Sequence, residues 1–472
     1  MKKTKIVSTL GPSSTDVDTI VKLIEAGANV FRFNFSHGDH EEHLGRMQAV
    51  AEAEKITGKT VGRLLDTKGA EIRTTKQADG KIQFSTGDVF RISMDDSIEG
   101  TKEKIAVTYP GLFDDVKVGG QVLFDDGLLA TTITEKDEAN KELVVKAENN
   151  GLLGSRKGVN APGVSINLPG ITEKDADDIR FGLDHEINYI AASFVRKPED
   201  VLDIRALLKE KNMEHVQIIP KIESQEGIDN LDAILEVSDG LMVPRGDMGV
   251  EIPAENVPLI QKEMIDKMNV LGLPVITATQ MLDSMEENPR PTRAEASDVA
   301  NAVFDGTDAT MLSGESANGD YPVEAVAMMA ALDEKAESAL SLYSRHADTF
   351  YGDDDVESVA SAAARLSDSV EAKAVVVLTE TGYAARMVSK HRPTAMTIAL
   401  TKSERVQRGL TLNNGILPIL ADTPKSVDDL VAKAKEVAQA QGLAAAGDKI
   451  VVVTVAPIDM AKSANNVSVE TI

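Results

Sequence analysis

The chain has 472 residues, no cysteine, and 76 acidic against 50 basic side chains, which gives a formal net charge of −26. At about 150 residues per domain, the length predicts roughly three domains, and the lack of cysteine excludes disulfides and thiolate metal sites. The acidic composition argues against nucleic acid or an anionic membrane as a partner, because both need a basic surface. No apolar run nears the about 18 residues of a membrane span and no secretory signal is evident, so we expect a cytoplasmic protein.

Short apolar, β-branched runs alternate with longer amphipathic runs, which predicts parallel strands separated by helices. Eight strands are predicted, at 4–9, 28–33, 61–66, 188–193, 216–222, 239–243, 274–278 and 307–312. The helices predicted between them include 16–26, 40–57, 173–184, 198–211, 226–236, 255–271 and 322–338. Eight strand–helix units in roughly 250 residues are typical of an α/β fold of the (β/α)8 TIM-barrel class.

A stretch between Asp66 and Thr172 interrupts this alternation. It contains short alternating β patterns, such as 88–94 and 118–124, separated by frequent turns. This pattern predicts an inserted small β-barrel-like lid domain, because an insertion in a βα loop lies at the catalytic end of a barrel.

A second α/β region follows an acidic stretch around Asp353–Asp355, which we interpret as a solvated linker. Strands near 373–378, 395–400, 416–420 and 449–455, with helices at 356–370, 383–391 and 426–440, predict a small doubly wound C-terminal α/β domain. The predicted domains are 1–68 and 167–340 for the two parts of the barrel, 69–166 for the lid, and 341–472 for a regulatory C-terminal domain.

Polar residues collect where five of the barrel strands are predicted to end, at 31–37, 65–73, 220–223, 244–249 and 277–280. Barrel enzymes carry their catalytic side chains at these ends. Glu223 and Asp247 end neighbouring strands, and two carboxylates can hold one Mg²⁺ together with substrate oxygens and waters. Lys221 lies on the same side of its strand as Glu223, so its ammonium can stabilise a phosphoryl group in transfer. A structural Lys221–Glu223 ion pair is the alternative.

Further groups face the same predicted cleft. Gly246 and Asp247 open a short helical turn whose N–H groups favour a carboxylate or phosphate. The cations Arg32, Lys68 and Arg73 lie at neighbouring strand ends.

An oxygen-rich set with one negative charge is formed by Asn34, Ser36, Asp66 and Thr67. Hard oxygen ligands of low total charge suit a weakly bound monovalent cation better than a transition metal. Ordinary loop hydrogen bonding explains the same residues equally well.

Two other groups carry weaker signals. His37, His40 and His43 lie three residues apart at a predicted helix start, without the spacing of a zinc site, so we interpret them as a solvated first turn. A loop that follows a predicted strand and precedes a helix could hold a phosphate, or could simply cap the helix. It contains Thr379, Glu380, Thr381, Gly382 and Tyr383.

These residues resemble the pyruvate kinase family, in its bacterial, K⁺-dependent type. The matching blocks lie at 8–12, 31–37, 66–73, 157–163, 219–223, 245–251, 278–282 and 312–315. The resemblance implies transfer of the phosphoryl group of phosphoenolpyruvate to ADP, giving pyruvate and ATP in the last step of glycolysis. It also implies a homotetramer and a phosphorylated sugar as allosteric effector. The alternatives are a divalent-metal-dependent barrel lyase or aldolase acting through a pyruvate enolate, and a non-catalytic sugar-phosphate-binding regulator.

The resemblance further implies a role for each matching residue. The catalytic residues would be Lys221, Arg32, Thr279 and Arg73. Phosphoenolpyruvate would bind Arg32, Lys221, Gly246, Asp247 and Thr279, and the nucleotide would bind Arg32, Arg73, Lys157, Asp126, Asn34, His37 and Pro12. Mg²⁺ (or Mn²⁺) would bind Glu223 and Asp247, and K⁺ would bind Asn34, Ser36, Asp66 and Thr67. The effector phosphate would bind the loop from Thr379 to Tyr383.

Three positions bear on regulation and metal use. In the family, Glu at the position of Glu71 accompanies K⁺ dependence, so we expect a K⁺-requiring enzyme. Pro244 replaces a small residue beside the metal site and removes one backbone N–H there. The segment 455–463 replaces the family's glycine-rich effector loop, which places closure over a sugar effector in question.

Overall fold

The structure is a computed structural model that describes residues 1–340, 354–454 and 465–472. Its first segment holds β1 Lys5–Thr9, α1 Val17–Ala26, β2 Val30–Asn34, α2 His40–Thr57 and β3 Gly62–Asp66, with a 3-10 turn at Pro12–Ser14. Asp16 begins α1 by accepting a hydrogen bond from the Thr19 amide at 2.9 Å, as an N-cap residue does. Gly58 ends α2 in a left-handed conformation, with φ 66°.

The inserted segment is a β domain with its own core. It holds β4 Ile72–Arg73, β5 Lys81–Phe84, β6 Val89–Ser93, β7 Lys104–Ala106, α3 Leu112–Asp115, β8 Gln121–Phe124, β9 Leu129–Asp137, β10 Glu142–Ala147, β11 Gly151–Gly154 and β12 Gly158–Asn160. Seven strands form one curled sheet in the order β4-β12-β8-β9-β10-β6-β7, and β11 pairs with β5. Phe84, Phe90 and Phe124 are buried in its interior.

The chain then returns to the first sheet. This segment holds α4 Glu173–Leu183, β13 Tyr189–Ala192, α5 Pro198–Glu210, β14 Gln217–Pro220, α6 Gln225–Asp229, α7 Leu231–Leu235, β15 Leu241–Pro244, α8 Arg245–Glu251, α9 Val257–Leu271, β16 Val275–Ala278, α10 Arg293–Asp305, β17 Ala309–Leu312, α11 Gly314–Ala317 and α12 Pro322–Glu337, with a 3-10 turn at Asp283–Glu286. The helix predicted at 226–236 is wrong in its continuity, because Asn230 separates two short helices. Its side-chain amide donates to the Arg196 carbonyl at 2.9 Å.

The eight strands of the barrel are all parallel and follow the order β14-β13-β3-β2-β1-β17-β16-β15. A parallel bridge between Lys221 and Met242 joins the two ends of this order, so the sheet closes on itself. Apolar side chains such as Val7, Leu64 and Ile219 fill the interior and are fully buried. This arrangement confirms the predicted α/β barrel.

The C-terminal region is a separate α/β sheet. It holds α13 Asp355–Ser369, β18 Ala374–Leu378, α14 Tyr383–Lys390, β19 Met396–Thr401, α15 Glu404–Gly409, β20 Ile416–Leu420, α16 Val427–Ala440, β21 Lys449–Thr454 and β22 Asn466–Thr471. The strand order is β20-β19-β18-β21-β22, with β22 antiparallel to its neighbour. Apolar clusters cover both faces of this sheet, one including Ala360 and Val388 and the other including Leu430. The predictions at Asp353 and 455–463 lie outside the described residues.

A loop of this C-terminal region closes the amino end of the barrel. Leu412, between α15 and β20, is fully buried in the barrel-interior cluster that contains Tyr189. The Tyr189 hydroxyl donates to the Arg408 carbonyl at 2.9 Å. The carboxyl ends of the strands, at the other end of the barrel, stay accessible. In the described part of the chain, none of the helices combines the length and apolarity needed to cross a bilayer.

Candidate active site

Four charged side chains meet at the carboxyl ends of β2, β3 and β14. Arg32 donates from Nε to Asp66 Oδ2 at 2.6 Å. Lys221 Nζ lies 3.4 Å from Asp66 Oδ1 and 3.1 Å from Glu223 Oε1. All four are buried. The structure therefore contains the Lys221–Glu223 ion pair that was the alternative to a catalytic site, but as part of a larger group.

The charges in this group fix each other's protonation. Burial alone would lower the pKa of Lys221, but Asp66, Glu223 and Asp247 outweigh it and raise that pKa above its usual value. Burial raises the pKa of Glu223 to about 7, against the opposing charge of Lys221. For Asp66, burial is outweighed by Arg32 and Lys221, which hold its pKa below the usual range. The lysine thus stays charged.

The two carboxylates predicted to hold a divalent metal face one cleft. Glu223 and Asp247 both line it, and Asp247 is exposed while Glu223 is 1% exposed. Glu223 Oε2 accepts a hydrogen bond from the Phe194 amide at 2.6 Å. The other oxygen, Oε1, is buried and has the Lys221 ammonium 3.1 Å away as its charged neighbour. Two carboxylates that line one cleft offer the hard oxygen ligands that a divalent cation prefers.

The end of β16 is strained. Thr279 and Gln280 both have left-handed backbones, with φ 64° and 54°. Such φ values are costly for residues other than glycine, and the guanidinium of Arg245 holds the turn by donating to the Thr279 carbonyl at 2.6 Å and the Gln280 carbonyl at 3.1 Å. Asp298 binds the same guanidinium at 2.8 and 2.6 Å. No role for Arg245 or Asp298 was predicted from the sequence.

The Thr279 hydroxyl is aimed at the start of α8. It accepts from the Gly246 amide at 2.8 Å and donates to the Ala278 carbonyl at 2.7 Å. The predicted helical turn at 246–247 is confirmed, and α8 begins one residue earlier, at Arg245. Pro244 precedes it as the N-cap residue.

The oxygen-rich set is partly assembled. Asn34 and Asp66 lie directly opposite each other on paired strands. The Asn34 side-chain oxygen accepts from the Ser36 amide at 3.1 Å, and Ser36 is exposed. Both Thr67 oxygens accept hydrogen bonds from Ser193. The donor set is composed of oxygens alone, which fits a monovalent cation.

The prediction that the three histidines form a solvated turn is wrong for His43. Its ring is 1% exposed and stacks on Phe35 with ring centroids 3.9 Å apart. Its Nε2 lies 2.9 Å from the His37 carbonyl oxygen, and burial lowers its pKa to about 4. The side chain is buried because Phe35 and α4 pack over the start of α2, and α4 lies over a hundred residues later in the chain. His37 itself is exposed.

A cleft of about 330 Å³ separates the inserted β domain from the barrel. Arg73, Asp126 and Lys157 line it together with the two metal-type carboxylates. Lys157 Nζ lies 2.9 Å from Oδ1 of Asp125, a residue that the sequence analysis missed. Burial raises the pKa of Asp126, with Asp125 and Asp247 adding to the effect.

Other predicted nucleotide residues lie apart from this cleft. Pro12 and His37 are exposed and do not line it, and Asn34 lies at the end of β2. Within the cleft, Glu71 Oε1 accepts from Arg73 Nε at 2.6 Å and lies 3.3 Å from Lys68 Nζ. The two basic side chains are thus held by one carboxylate.

The loop predicted to hold an effector phosphate lies at the start of α14. The Thr379 hydroxyl accepts from the Gly382 amide at 2.9 Å, and the Thr381 hydroxyl accepts from the Tyr383 amide at 3.4 Å. Glu380 lies 3.7 Å from Lys402. The two hydroxyls thus bind amides of the turn and of the first residue of α14, while Gly382 is the N-cap residue.

Comparison with known proteins identifies relatives over the whole chain. Two family models match, "Pyruvate kinase, barrel domain" at residues 1–326 and "Pyruvate kinase, alpha/beta domain" at residues 357–470. The pyruvate kinase of Lactobacillus delbrueckii subsp. bulgaricus is 58% identical over 469 residues, which cover 98% of this chain and 80% of that protein. The pyruvate kinase of Lactococcus lactis subsp. lactis is 47% identical over 500 residues, covering 100% and 99%.

A solved structure shares the fold. The crystal structure of a pyruvate kinase from Cryptosporidium parvum matches with a TM-score of 0.93 and 39% identity, covering 100% of this chain and 96% of that one.

Proposed function

The chain belongs to the pyruvate kinase family and transfers the phosphoryl group of phosphoenolpyruvate to ADP, and we propose that the group around Lys221 carries out this transfer. The observation that supports this most is the buried ammonium between Asp66 and Glu223. In the reaction, the bond between phosphorus and the enol oxygen breaks, and a new bond forms to a β-phosphate oxygen of ADP. The enolate that remains takes up a proton to give pyruvate. Lys221 and Arg32 would stabilise the phosphoryl charge during this step.

We propose that Glu223 and Asp247 hold the divalent cation, Mg²⁺ or Mn²⁺. The buried Glu223 carboxylate and the exposed Asp247 carboxylate line one cleft, which supports this assignment. The cation would neutralise charge on the substrate oxygens.

The carboxylate of phosphoenolpyruvate is assigned to the N–H groups of Gly246 and Asp247 and to the Thr279 hydroxyl. The strained turn supports this, because Arg245 holds Thr279 where its hydroxyl meets the Gly246 amide. Thr279 would also lie on the path of the proton to the enolate.

The nucleotide is assigned to the cleft under the inserted domain. We propose that residues 69–166 act as a lid and that Lys157, Asp126 and Arg73 contact ADP when it closes. Their shared position in the cleft supports this. Asn34, His37 and Pro12, with Arg32, would contact the same nucleotide from the barrel side.

K⁺ is assigned to Asn34, Ser36, Asp66 and Thr67. The facing positions of Asn34 and Asp66 on paired strands support the assignment. Glu71 predicts that the enzyme requires this ion.

Regulation and assembly are assigned to the C-terminal domain, 341–472. We propose that the loop from Thr379 to Tyr383 binds a phosphorylated sugar, and that the chain forms a homotetramer. Strand β22 is an edge strand of its sheet, which leaves one side available to a second copy. A glycolytic enzyme acts where its substrates are made, so we propose a cytoplasmic location.

The decisive experiment is pyruvate formation from phosphoenolpyruvate, ADP and Mg²⁺ in matched Na⁺ and K⁺ buffers. We expect turnover to rise strongly with K⁺, and Lys221→Met to lower kcat by about a hundred- to a thousand-fold. Lys5→Met is the matched control, since Lys5 is also a buried lysine but donates to the Ile416 carbonyl at the opposite end of the barrel. If kcat falls equally in Lys221→Met and Lys5→Met, Lys221 affects turnover only through the stability of the fold. Turnover that is independent of ADP would favour the lyase.

A further inference from the structure

The fourth barrel strand ends in a serine that the sequence analysis left without a role. Ser193 follows β13 directly and is 4% exposed. It lies among Lys221, Asp66 and Thr67, which come from two other strand ends. Its hydroxyl is the one uncharged side-chain group that hydrogen-bonds to the ammonium among the described residues.

The Ser193 hydroxyl has one proton to donate and two lone pairs to offer. It donates to the Thr67 carbonyl at 2.6 Å, the shortest of its contacts. It accepts from Lys221 Nζ at 3.0 Å. Because its proton goes to Thr67, its 3.3 Å approach to Asp66 Oδ1 is secondary. The backbone amide of Ser193 also donates to the Thr67 hydroxyl at 3.0 Å.

These contacts fix the direction of the ammonium. Lys221 has three N–H donors, of which one is directed at Ser193 and one at Asp66, 3.4 Å away. The third lies toward Glu223, whose Oε1 is 3.1 Å from Nζ, so these three neighbours together fix where the ammonium lies at the strand ends. Removing the Ser193 hydroxyl would leave the ammonium free to turn toward the two carboxylates alone.

The surrounding backbone fixes the position of the Ser193 hydroxyl. The next residue, Phe194, has φ 56°, a strained value for a side chain of this size. Its amide is held by Glu223 at 2.6 Å. Gly69, with φ 74°, packs against the turn so closely that a Cβ there would lie 2.8 Å from the Ser193 Cβ.

We propose that Ser193 is a positioning residue that orients Lys221 and couples it to Thr67. This inference rests on the proposed function, in which Lys221 acts on the phosphoryl group and Thr67 contributes to the K⁺ site. Because one hydroxyl joins both residues, its loss affects phosphoryl transfer and the response to K⁺ together.

The test compares Ser193→Ala with the parent enzyme and with Ser238→Ala. Ser238 is the matched control, because it is a buried serine of the barrel that lies before β15 and not at the carboxyl ends of the strands. Its hydroxyl donates to the Ile234 carbonyl at 2.6 Å. We expect Ser193→Ala to lower kcat at least tenfold while the KM for phosphoenolpyruvate changes less than threefold. We also expect the half-saturating K⁺ concentration to rise at least threefold, with no such change in Ser238→Ala.

A second readout does not depend on activity. The melting temperature is measured by circular dichroism in Na⁺ and in K⁺, without substrates, and the rise caused by K⁺ should shrink in Ser193→Ala only. If Ser193→Ala does not fold, Ser193→Cys replaces it, since a thiol keeps the shape but is a weaker donor.

The outcomes separate the two proposals. A kcat within twofold of the parent overturns the positioning role. A lowered kcat with an unchanged K⁺ response, in both assays, overturns the coupling to Thr67. If the parent enzyme itself does not respond to K⁺, the proposed K⁺ site fails, and the ratio of kcat to KM effects still decides whether Ser193 positions Lys221.

Discussion

The loop that closes the amino end of the barrel gives a quantitative prediction for Leu412→Ala. Leu412 is fully buried within the same cluster as the barrel-interior residues Val30, Leu64 and Tyr189. Removing such a side chain costs its transfer free energy plus that of the cavity left behind, because a packed interior relaxes only in part. We expect Leu412→Ala to lower the free energy of unfolding by about 3–5 kcal/mol.

The assay is thermal unfolding followed by circular dichroism. For a domain of the barrel's size, about 2–4 °C is lost per kcal/mol, so a loss of 3 kcal/mol lowers the barrel's Tm by about 6–12 °C. Several heating rates are used, because large proteins often unfold irreversibly. The same variant should leave the KM for phosphoenolpyruvate almost unchanged, since the strand ends that carry Lys221 lie at the opposite end of the barrel.

Leu420→Ala is the control. Leu420 belongs to the same region of the chain but is 45% exposed, so its loss should change stability by no more than about 0.5 kcal/mol. If the Tm of Leu412→Ala lies within 1 °C of that of Leu420→Ala, the loop between α15 and β20 does not stabilise the barrel, and the predicted loss of stability is wrong.

Three further predictions concern titratable residues. Glu71→Lys should reduce the dependence of turnover on K⁺, and a K⁺-to-Na⁺ turnover ratio equal to that of the parent would contradict the assignment of Glu71. His43 has a folded pKa of about 4 against 6.5 in its unperturbed state, so the unfolded chain binds more protons between these values and stability falls as the pH drops from 6.5 to 4. The loss should reach about 3 kcal/mol at pH 4, because each pKa unit corresponds to about 1.4 kcal/mol. Urea unfolding of His43→Gln should show a flatter pH dependence, and a slope equal to that of the parent would count against the lowered pKa of His43. Glu357→Gln should cost about 3–5 kcal/mol, because the buried Lys390 loses its carboxylate partner. Chemical denaturation of Glu357→Gln should show this loss, and the double change with Lys390→Met should recover most of it.

The barrel was predictable because its strands are buried on both faces and therefore appear in the sequence as short apolar runs. The run at 61–66 corresponds to β3, Gly62–Asp66, and the run at 274–278 to β16, Val275–Ala278. Strand β22 and helix α15 were not predicted, because each contains few apolar residues and no side chain of β22 is fully buried.

The charged members of the site were also predictable. Lys221, Glu223 and Arg32 lie at strand ends, and the topology of a parallel barrel brings all such ends together. Ser193 and Asp125 could not be predicted in the same way. Ser193 also ends a predicted strand, but it is uncharged, and its role depends on hydrogen bonds to Lys221 and Thr67 from other strand ends. Asp125 forms an ion pair with Lys157, which is distant in the sequence, and a lone aspartate in a turn carries no periodic signal.

The burial of His43 shows a second limit. Its spacing from His37 and His40 predicts a surface turn, but the stacking partner Phe35 and the covering helix α4 decide its exposure. Burial of a polar ring therefore depends on the packing of elements that are separated along the chain.

The way in which the barrel sheet closes gives the proposed metal a structural role in addition to its catalytic one. Strands β14 and β15 are joined by a single bridge, between Lys221 and Met242, whereas the other neighbours in the ring share two or more registered pairs. Glu223 and Asp247 follow these two strands, one on each side of that join. A cation bound by both carboxylates would therefore link β14 to β15 at the point where the closed sheet has few backbone hydrogen bonds. Removing this cation with a chelator should loosen the enzyme first at the end of the barrel where the proposed chemistry takes place, so the cation proposed for turnover would also preserve the shape of the barrel.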